Sequence, residues 1–484
     1  MSYKSTNVKI CLVLLLTGLV PAGAHRASAQ TPAIQWEPFE LAVRGAEPVA
    51  AEVGRLLVPE QRGQDGSPEI RLAFVRLRTT NPSPAPPLVY LDGGPGGDGY
   101  SLARSPAYFR LFDLIRRDRD VILLSQRGTG LSRPRLTCRA EGRLPDDVLT
   151  DAATMRAALE PGLRACADQL RAQGVTLAAY TTEASADDVD AVRRALGVPT
   201  IALLGFSYGT HLGLEVMRRH PASVERAVLV GTEGPWHTLK YPRSLDAQFG
   251  RLARAARGVV PDLVGAWLAL LERAAAAPLR VPVTLGKESR TALVGAEGLQ
   301  WLLRRDLGDT GDWPWIPAAI AKAAGGDVSG FRPVVERRLG QIGSGVALMG
   351  MAMDCASGSS PARLAEIRAQ APSSLLGVMT NFPYPDVCEA LGLPALPASF
   401  REPFASDVPT LFVRGTLDGN TPPWQADEVS ARFTRDLHLT IEGAGHEGSL
   451  PAPAVQDAIV GFLQGRADLP ARLAVPLPVF TPAR

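Results

Sequence analysis

The chain has 484 residues, 46% of them hydrophobic and 21% charged, which excludes a disordered polypeptide, a collagen-like fibre and a multi-pass membrane protein. Its 51 basic residues nearly balance 49 acidic ones, for a formal charge of +2, so no nucleic-acid or polyanion partner is implied. At roughly 150 residues per domain, the length accommodates a large α/β core carrying an insertion.

The N-terminal stretch reads as an address. Lys4 and Lys9 flank the start of an apolar run, Ile10 to Val20, followed by Pro21 and the triplet Ala27-Ser28-Ala29. A charged start, a short apolar middle and an Ala-x-Ala end are the layout of a secretory signal peptide, residues 1–29, cleaved after Ala29. The run is too short to span a bilayer, which needs roughly 20 residues. The mature chain is expected to be periplasmic or extracellular, without stable membrane insertion. Loss of Cys11 leaves Cys138, Cys166, Cys355 and Cys388. An even number in an oxidising compartment implies two disulfides, and proximity in sequence favours Cys138–Cys166 and Cys355–Cys388. No C-x-x-C or Cys/His cluster has metal spacing, so no metal site and no cofactor are expected.

Strand candidates follow in order. Ile70–Arg78 alternates loosely, and a Pro-rich spacer, Asn81 to Pro87, leads to the apolar run Leu88–Leu91. Further short apolar runs are Val121–Leu124, Thr200–Leu204, Ala227–Val230, Thr410–Val413 and Leu437–Ile441. Such runs, bounded by turn residues with helix-like stretches between them, argue a parallel sheet buried on both faces. Helical spacing is expected over Asp187–Leu196 and Thr210–Arg219. From about His237 to Phe404 the composition shifts to Ala, Leu and Arg, with helix-like pieces at Gln248–Arg257, Leu263–Ala276 and Leu299–Arg305. This predicts a core in two parts, 30–236 and 406–484, separated by a mostly helical cap over 237–405.

The strand Ile201–Leu204 runs into Gly205-Phe206-Ser207-Tyr208-Gly209 and then into a helix. G-x-S-x-G in that setting is a nucleophile elbow, which presents Ser207 on a tight strand-to-helix turn. A serine hydroxyl needs a base, and the base needs an orienting acid. His446 lies in a glycine loop just after a strand, which suits a general base. His211 and His220 lie in the helix after Ser207, His237 opens the insertion, and His438 is inside a strand. Asp418 sits just past the Thr410–Val413 strand and completes the order Ser, Asp, His of α/β-hydrolases. Asp407 and Asp436 are alternatives at the wrong strand ends. The tetrahedral intermediate needs backbone donors. The Tyr208 amide is one. The second is expected from Asp92-Gly93-Gly94-Pro95-Gly96-Gly97, with Gly94 the first choice and Gly93 a near alternative.

Together, Asp92–Gly97, Gln126-Arg127-Gly128-Thr129-Gly130-Leu131-Ser132, the Ser207 elbow and the Asp418/His446 pair resemble the prolyl iminopeptidases and the exported tripeptidyl aminopeptidase-like proteins. The resemblance runs from about Val89 to Leu450. It implies the α/β-hydrolase fold, a serine peptidase mechanism and release of residues or short peptides from substrate N-termini. Two positions depart from the group's pattern. Asp92 stands where prolyl iminopeptidases carry His, and Ser125 stands where Asp often precedes Gln-Arg-Gly. A free N-terminal amine calls for a carboxylate in the pocket. Glu233, at the C-terminal end of a strand, is the substrate-binding candidate, with Asp354 and Glu389 in the insertion beside it. The expected function is therefore an aminopeptidase acting on peptides. The alternative is a carboxylesterase or lipase acting on small esters with the same triad. A non-catalytic binding protein on a hydrolase scaffold is a third class, against which the complete triad argues.

Overall fold

The computed structural model describes residues 1, 33–139, 142–466 and 468–480; the expected signal peptide lies outside these residues apart from Met1. Fourteen strands form in chain order: β1 Gln35–Leu41, β2 Val49–Pro59, β3 Glu69–Leu77, β4 Leu88–Leu91, β5 Val121–Ser125, β6 Thr137–Cys138, β7 Ile201–Phe206, β8 Val224–Val230, β9 Leu279–Leu285, β10 Glu288–Val294, β11 Val346–Ala347, β12 Thr410–Gly415, β13 Asp436–Glu442 and β14 Arg472–Ala474. Ten of them make one sheet in the order β1-β2-β3-β5-β4-β7-β8-β12-β13-β14. From β5 to β14 every neighbouring pair is parallel.

Burial explains the apolar runs. Every residue of β4, β5 and β7 is buried, because helices cover both faces. Val89 and Leu91 pack with Leu203, Val189, Tyr208 and Leu212 on one face. Leu88 and Tyr90 pack with Phe112, Ile115, Ile459 and Phe462 on the other. Each large apolar side chain withdrawn from water contributes about 1.5–3 kcal/mol.

The sheet is mostly parallel, as the α/β-hydrolase reading expects, and two features add to that expectation. Strands β1, β2 and β3 join the edge of the parallel sheet antiparallel. Pro38 inside β1 disguises that strand, yet an edge strand tolerates a missing N–H. The segment between β8 and β12 also contains an antiparallel hairpin, β9–β10, beside its helices. In β9, Leu279, Val281 and Val283 turn inward and alternate with exposed Arg280, Pro282 and Thr284. This segment packs around a core of its own that includes Phe249, Trp267, Leu302, Trp313 and Phe331, joined by Val148, Leu149 and Met155 from before β7.

Both disulfides have the pairing expected from sequence proximity, Cys138–Cys166 and Cys355–Cys388. The first ties β6 to the helix Ala152–Ala172. The second ties the helix Leu348–Ser357 to the helix Asp386–Ala390. No helix among the described residues is long and apolar enough to cross a membrane.

Candidate active site

The turn after β7 sets the geometry. Ser207 has φ 55° and ψ −125° and is the one non-glycine residue with positive φ among the described residues. Backbone in that region is strained for an L side chain and tends to be retained at functional sites. Gly209 is required because a Cβ there would lie 1.9 Å from the Leu91 carbonyl oxygen. Strand β4 and the helix Tyr208–Arg219 therefore approach backbone to backbone beneath the serine.

Ser207, Asp418 and His446 come together from β7, β12 and β13. His446 Nε2 is 2.9 Å from Ser207 Oγ, and His446 Nδ1 is 2.9 Å from Asp418 Oδ2. Asp418 is 1% exposed and His446 8%. The Asp418 carboxylate also accepts from the Asn420 and Thr421 amides at 2.9 and 2.8 Å and from the Thr421 hydroxyl at 2.7 Å. With its lone pairs so occupied, it holds one orientation toward the imidazole. Thr421 was not foreseen from the sequence; its signal is an Asp-x-x-Thr spacing in the turn after β12. Phe206 lies against the imidazole, ring centroids 5.1 Å apart.

Burial works against a positive charge on His446, but the Asp418 carboxylate outweighs burial and leaves the imidazole pKa above its ordinary 6.5. A general base must be neutral to accept a proton, so lowering pH removes it. If His446 is that base, kcat/KM rises with pH along a limb whose midpoint lies above 6.5. A profile flat down to about pH 5 would assign the base elsewhere.

The glycine loop closes over the serine from β4. A Cβ on Gly93 would meet the Ser207 Cβ at 2.9 Å, and Gly94 follows with φ 115°. Both line the cavity in front of Ser207. The Tyr208 amide begins a helix, where N–H groups have no partner within the helix. The two departures from the peptidase pattern both brace this loop. Asp92 accepts from the Tyr90 hydroxyl at 2.9 Å, and Ser125 donates to Asp98 at 2.7 Å.

The cavity holds about 650 Å³, and its walls include Ser207, His446, Gly94, Glu233, Lys240, Arg304 and Arg305. Glu233 is buried and accepts from Lys240 Nζ at 2.5 Å, with His211 Nδ1 3.6 Å away. Burial alone would raise its pKa; the Lys240 charge overrides this and holds it below the usual carboxylate range. Asp354 lines an adjoining recess with Tyr384. Burial, reinforced by the Glu233 charge, pushes its carboxyl up to about 8. Glu389 is exposed and away from these walls. Asp407 is exposed, and Asp436 pairs with His438 at 3.0 Å. The remaining histidines are committed elsewhere: His220 to Asp187, His237 to Glu428, and His211 to the packing against Tyr208 and Phe400. Among the described residues, no group of three or more His, Cys, Asp or Glu is placed to hold a metal ion.

Comparison with known proteins agrees with this architecture. Residues 86–282 match the alpha/beta hydrolase fold family, and residues 379–472 match the family described as TAP-like protein. Serine protease Hip1 of Mycobacterium tuberculosis is 27% identical over 237 residues, covering 46% of this chain and 45% of that protein. Tripeptidyl aminopeptidase of Streptomyces coelicolor is 29% identical over 222 residues, covering 44% of this chain and 40% of that protein. The matched stretch thus spans less than half the length of these relatives. Among solved structures, proline iminopeptidase of Mycobacterium smegmatis is 17% identical with a TM-score of 0.39, over 85% of this chain and 98% of that one. The mostly parallel sheet, the strained serine between β7 and its helix, and the match over residues 86–282 give this chain the alpha/beta hydrolase fold, and its C-terminal part is similar to the TAP-like proteins.

Proposed function

We propose that the protein is an aminopeptidase-type serine peptidase that acts outside the cytoplasm after removal of residues 1–29. Ser207 attacks the scissile carbonyl, His446 takes its proton and passes it to the leaving amine, and Asp418 holds the imidazole and stabilises its cation. The amides of Tyr208 and Gly94, or of Gly93 beside it, receive the oxyanion. Water then hydrolyses the acyl-enzyme. The observation that carries this reading is the hydrogen-bonded chain Ser207–His446–Asp418 opening on a cavity that also contains buried Glu233. The segment 237–405 acts as a lid that admits extended peptides rather than folded proteins. The two disulfides suit an oxidising compartment.

A substrate amine reaching Glu233 takes over the role of the Lys240 ammonium. N-acetylation of a peptide amide substrate is then expected to lower kcat/KM at least about tenfold, since it removes the charge-assisted hydrogen bond between the amine and Glu233, worth about 1.5–3 kcal/mol. Equal rates on free and acetylated peptides would overturn the aminopeptidase reading. One observation favours the esterase alternative in that event: Lys240 already neutralises Glu233, so an uncharged acyl group leaves no charge unpaired.

A further inference from the structure

The helix Ala296–Leu307 ends on two consecutive arginines at the cavity wall. Arg304 donates to the Thr380 carbonyl and to Asn420 Oδ1, both at 3.1 Å. Both acceptors are neutral. Arg305 is exposed toward the cavity, its mouth and the recess behind it, and has no hydrogen-bond acceptor among the described residues. Neither guanidinium has a carboxylate within 4.0 Å among those residues. The adjacent Asp306 is committed to Arg337 and Arg338 instead.

Other buried arginines of the chain are neutralised directly. Arg127, for example, is paired with Asp188. The nearby carboxylates do not supply the missing charge. Glu233 is spent on Lys240, Asp354 lies in the recess with its carboxyl pushed up to about 8 by burial, and Glu447 stands beside His446 and Asp309. Burial pulls the Arg304 pKa down to about 10, and the Arg305 charge adds to that effect. The wall is therefore charged and short of an anion.

We propose that Arg304 and Arg305 form a subsite for a carboxylate on the substrate, bound in the same cavity as Ser207. A guanidinium fork matches a carboxylate in two parallel hydrogen bonds, and partial desolvation strengthens them. The carboxylate belongs either to an acidic side chain near the scissile bond or to the C-terminus of a short peptide. The subsite rests on Ser207 being the nucleophile but not on the scissile bond being an amide.

The test uses substrate pairs that differ only in carboxylate against carboxamide. Three series are needed: Glu against Gln at successive positions of a peptide amide, short peptides with free against amidated C-termini, and aryl esters of glutarate against those of glutaramic acid. At least one series is expected to show a preference for the carboxylate of about tenfold or more in kcat/KM, the worth of a charge-assisted hydrogen bond. The series that shows it identifies the source of the carboxylate. Arg305→Gln should bring that ratio toward unity, and Arg305→Lys should restore part of it. Glutarate should inhibit competitively where glutaramide does not. No preference in any series, or a preference that survives both Arg305→Gln and Arg304→Gln, overturns the subsite. A preference among the esters with no peptide cleaved upholds the subsite and removes the peptidase reading.

Discussion

Replacing Ser207 with alanine is expected to lower kcat by a factor of about 10⁴ or more while leaving the fold intact, because a triad acts as a unit and loses nearly everything with its nucleophile. The side chain removed is one hydroxyl on a turn whose strain lies in the backbone, φ 55°. The conformation is imposed by the close approach of β4 to the helix Tyr208–Arg219, which the substitution does not touch. The measurement is turnover of an activated ester and of a peptide amide by the purified variant, with its melting curve beside that of the parent. A folded Ser207→Ala protein that retains a tenth of the parental rate would place the nucleophile elsewhere. An organophosphonate should label the parent at Ser207 and leave the variant unmodified.

The largest expected loss of stability lies away from the cavity. Arg127, in the Gln-Arg-Gly element after β5, is 0% exposed and Asp188 2%. Two parallel hydrogen bonds of 2.7 and 2.8 Å join them. The remaining guanidinium nitrogen donates to the Glu60 carbonyl at 2.8 Å and the Ala179 carbonyl at 2.7 Å. Arg62 reaches the same carboxylate. Burial works against the Arg127 charge, yet Asp188 more than offsets it and holds the guanidinium pKa up. Asp188→Ala strands a buried cation and should cost about 3–5 kcal/mol, as breaking one side of a buried ion pair does. Denaturant midpoints of parent and variant, read with an unchanged slope, give the difference. A loss below about 1 kcal/mol would mean that water or Glu60 replaces the carboxylate.

Sequence reading reached the parts of this molecule whose cause is local. The runs that became β4, β5 and β7 stand out because both sheet faces are covered, so no polar residue interrupts them. The elbow is visible because the backbone contact at Gly209 admits no side chain. Strands β1 and β2 were missed because each mixes polar with apolar residues, and Gly54 in β2 makes room for the Phe74 ring, a partner from another strand. In β9 the alternation was present, but Pro282 on its outer face masked it. Glu233 was legible as a carboxylate at a strand end. Its pairing with Lys240 was not, since that follows from the path of the chain after β8. Arg304 and Arg305 read as ordinary late-helix basic residues, which suit a helix C-terminus on dipole grounds alone. That they reach the cavity wall without a carboxylate partner shows only in the structure.

The register between β8 and β12 also bears on the order in which the molecule assembles. Thr410 pairs with Ala227, so these neighbouring strands are about 180 residues apart along the chain. Contacts of that separation form late, after the intervening stretch has collapsed around its own apolar centre. Asp418 and His446 both lie beyond this junction, whereas Ser207 lies before it. Until those strands pair, Ser207 is separated from His446 and Asp418 by the whole intervening segment. If the three residues form the proposed triad, hydrolytic competence requires β12 and β13 to dock, and a chain that has not yet paired β8 with β12 lacks it.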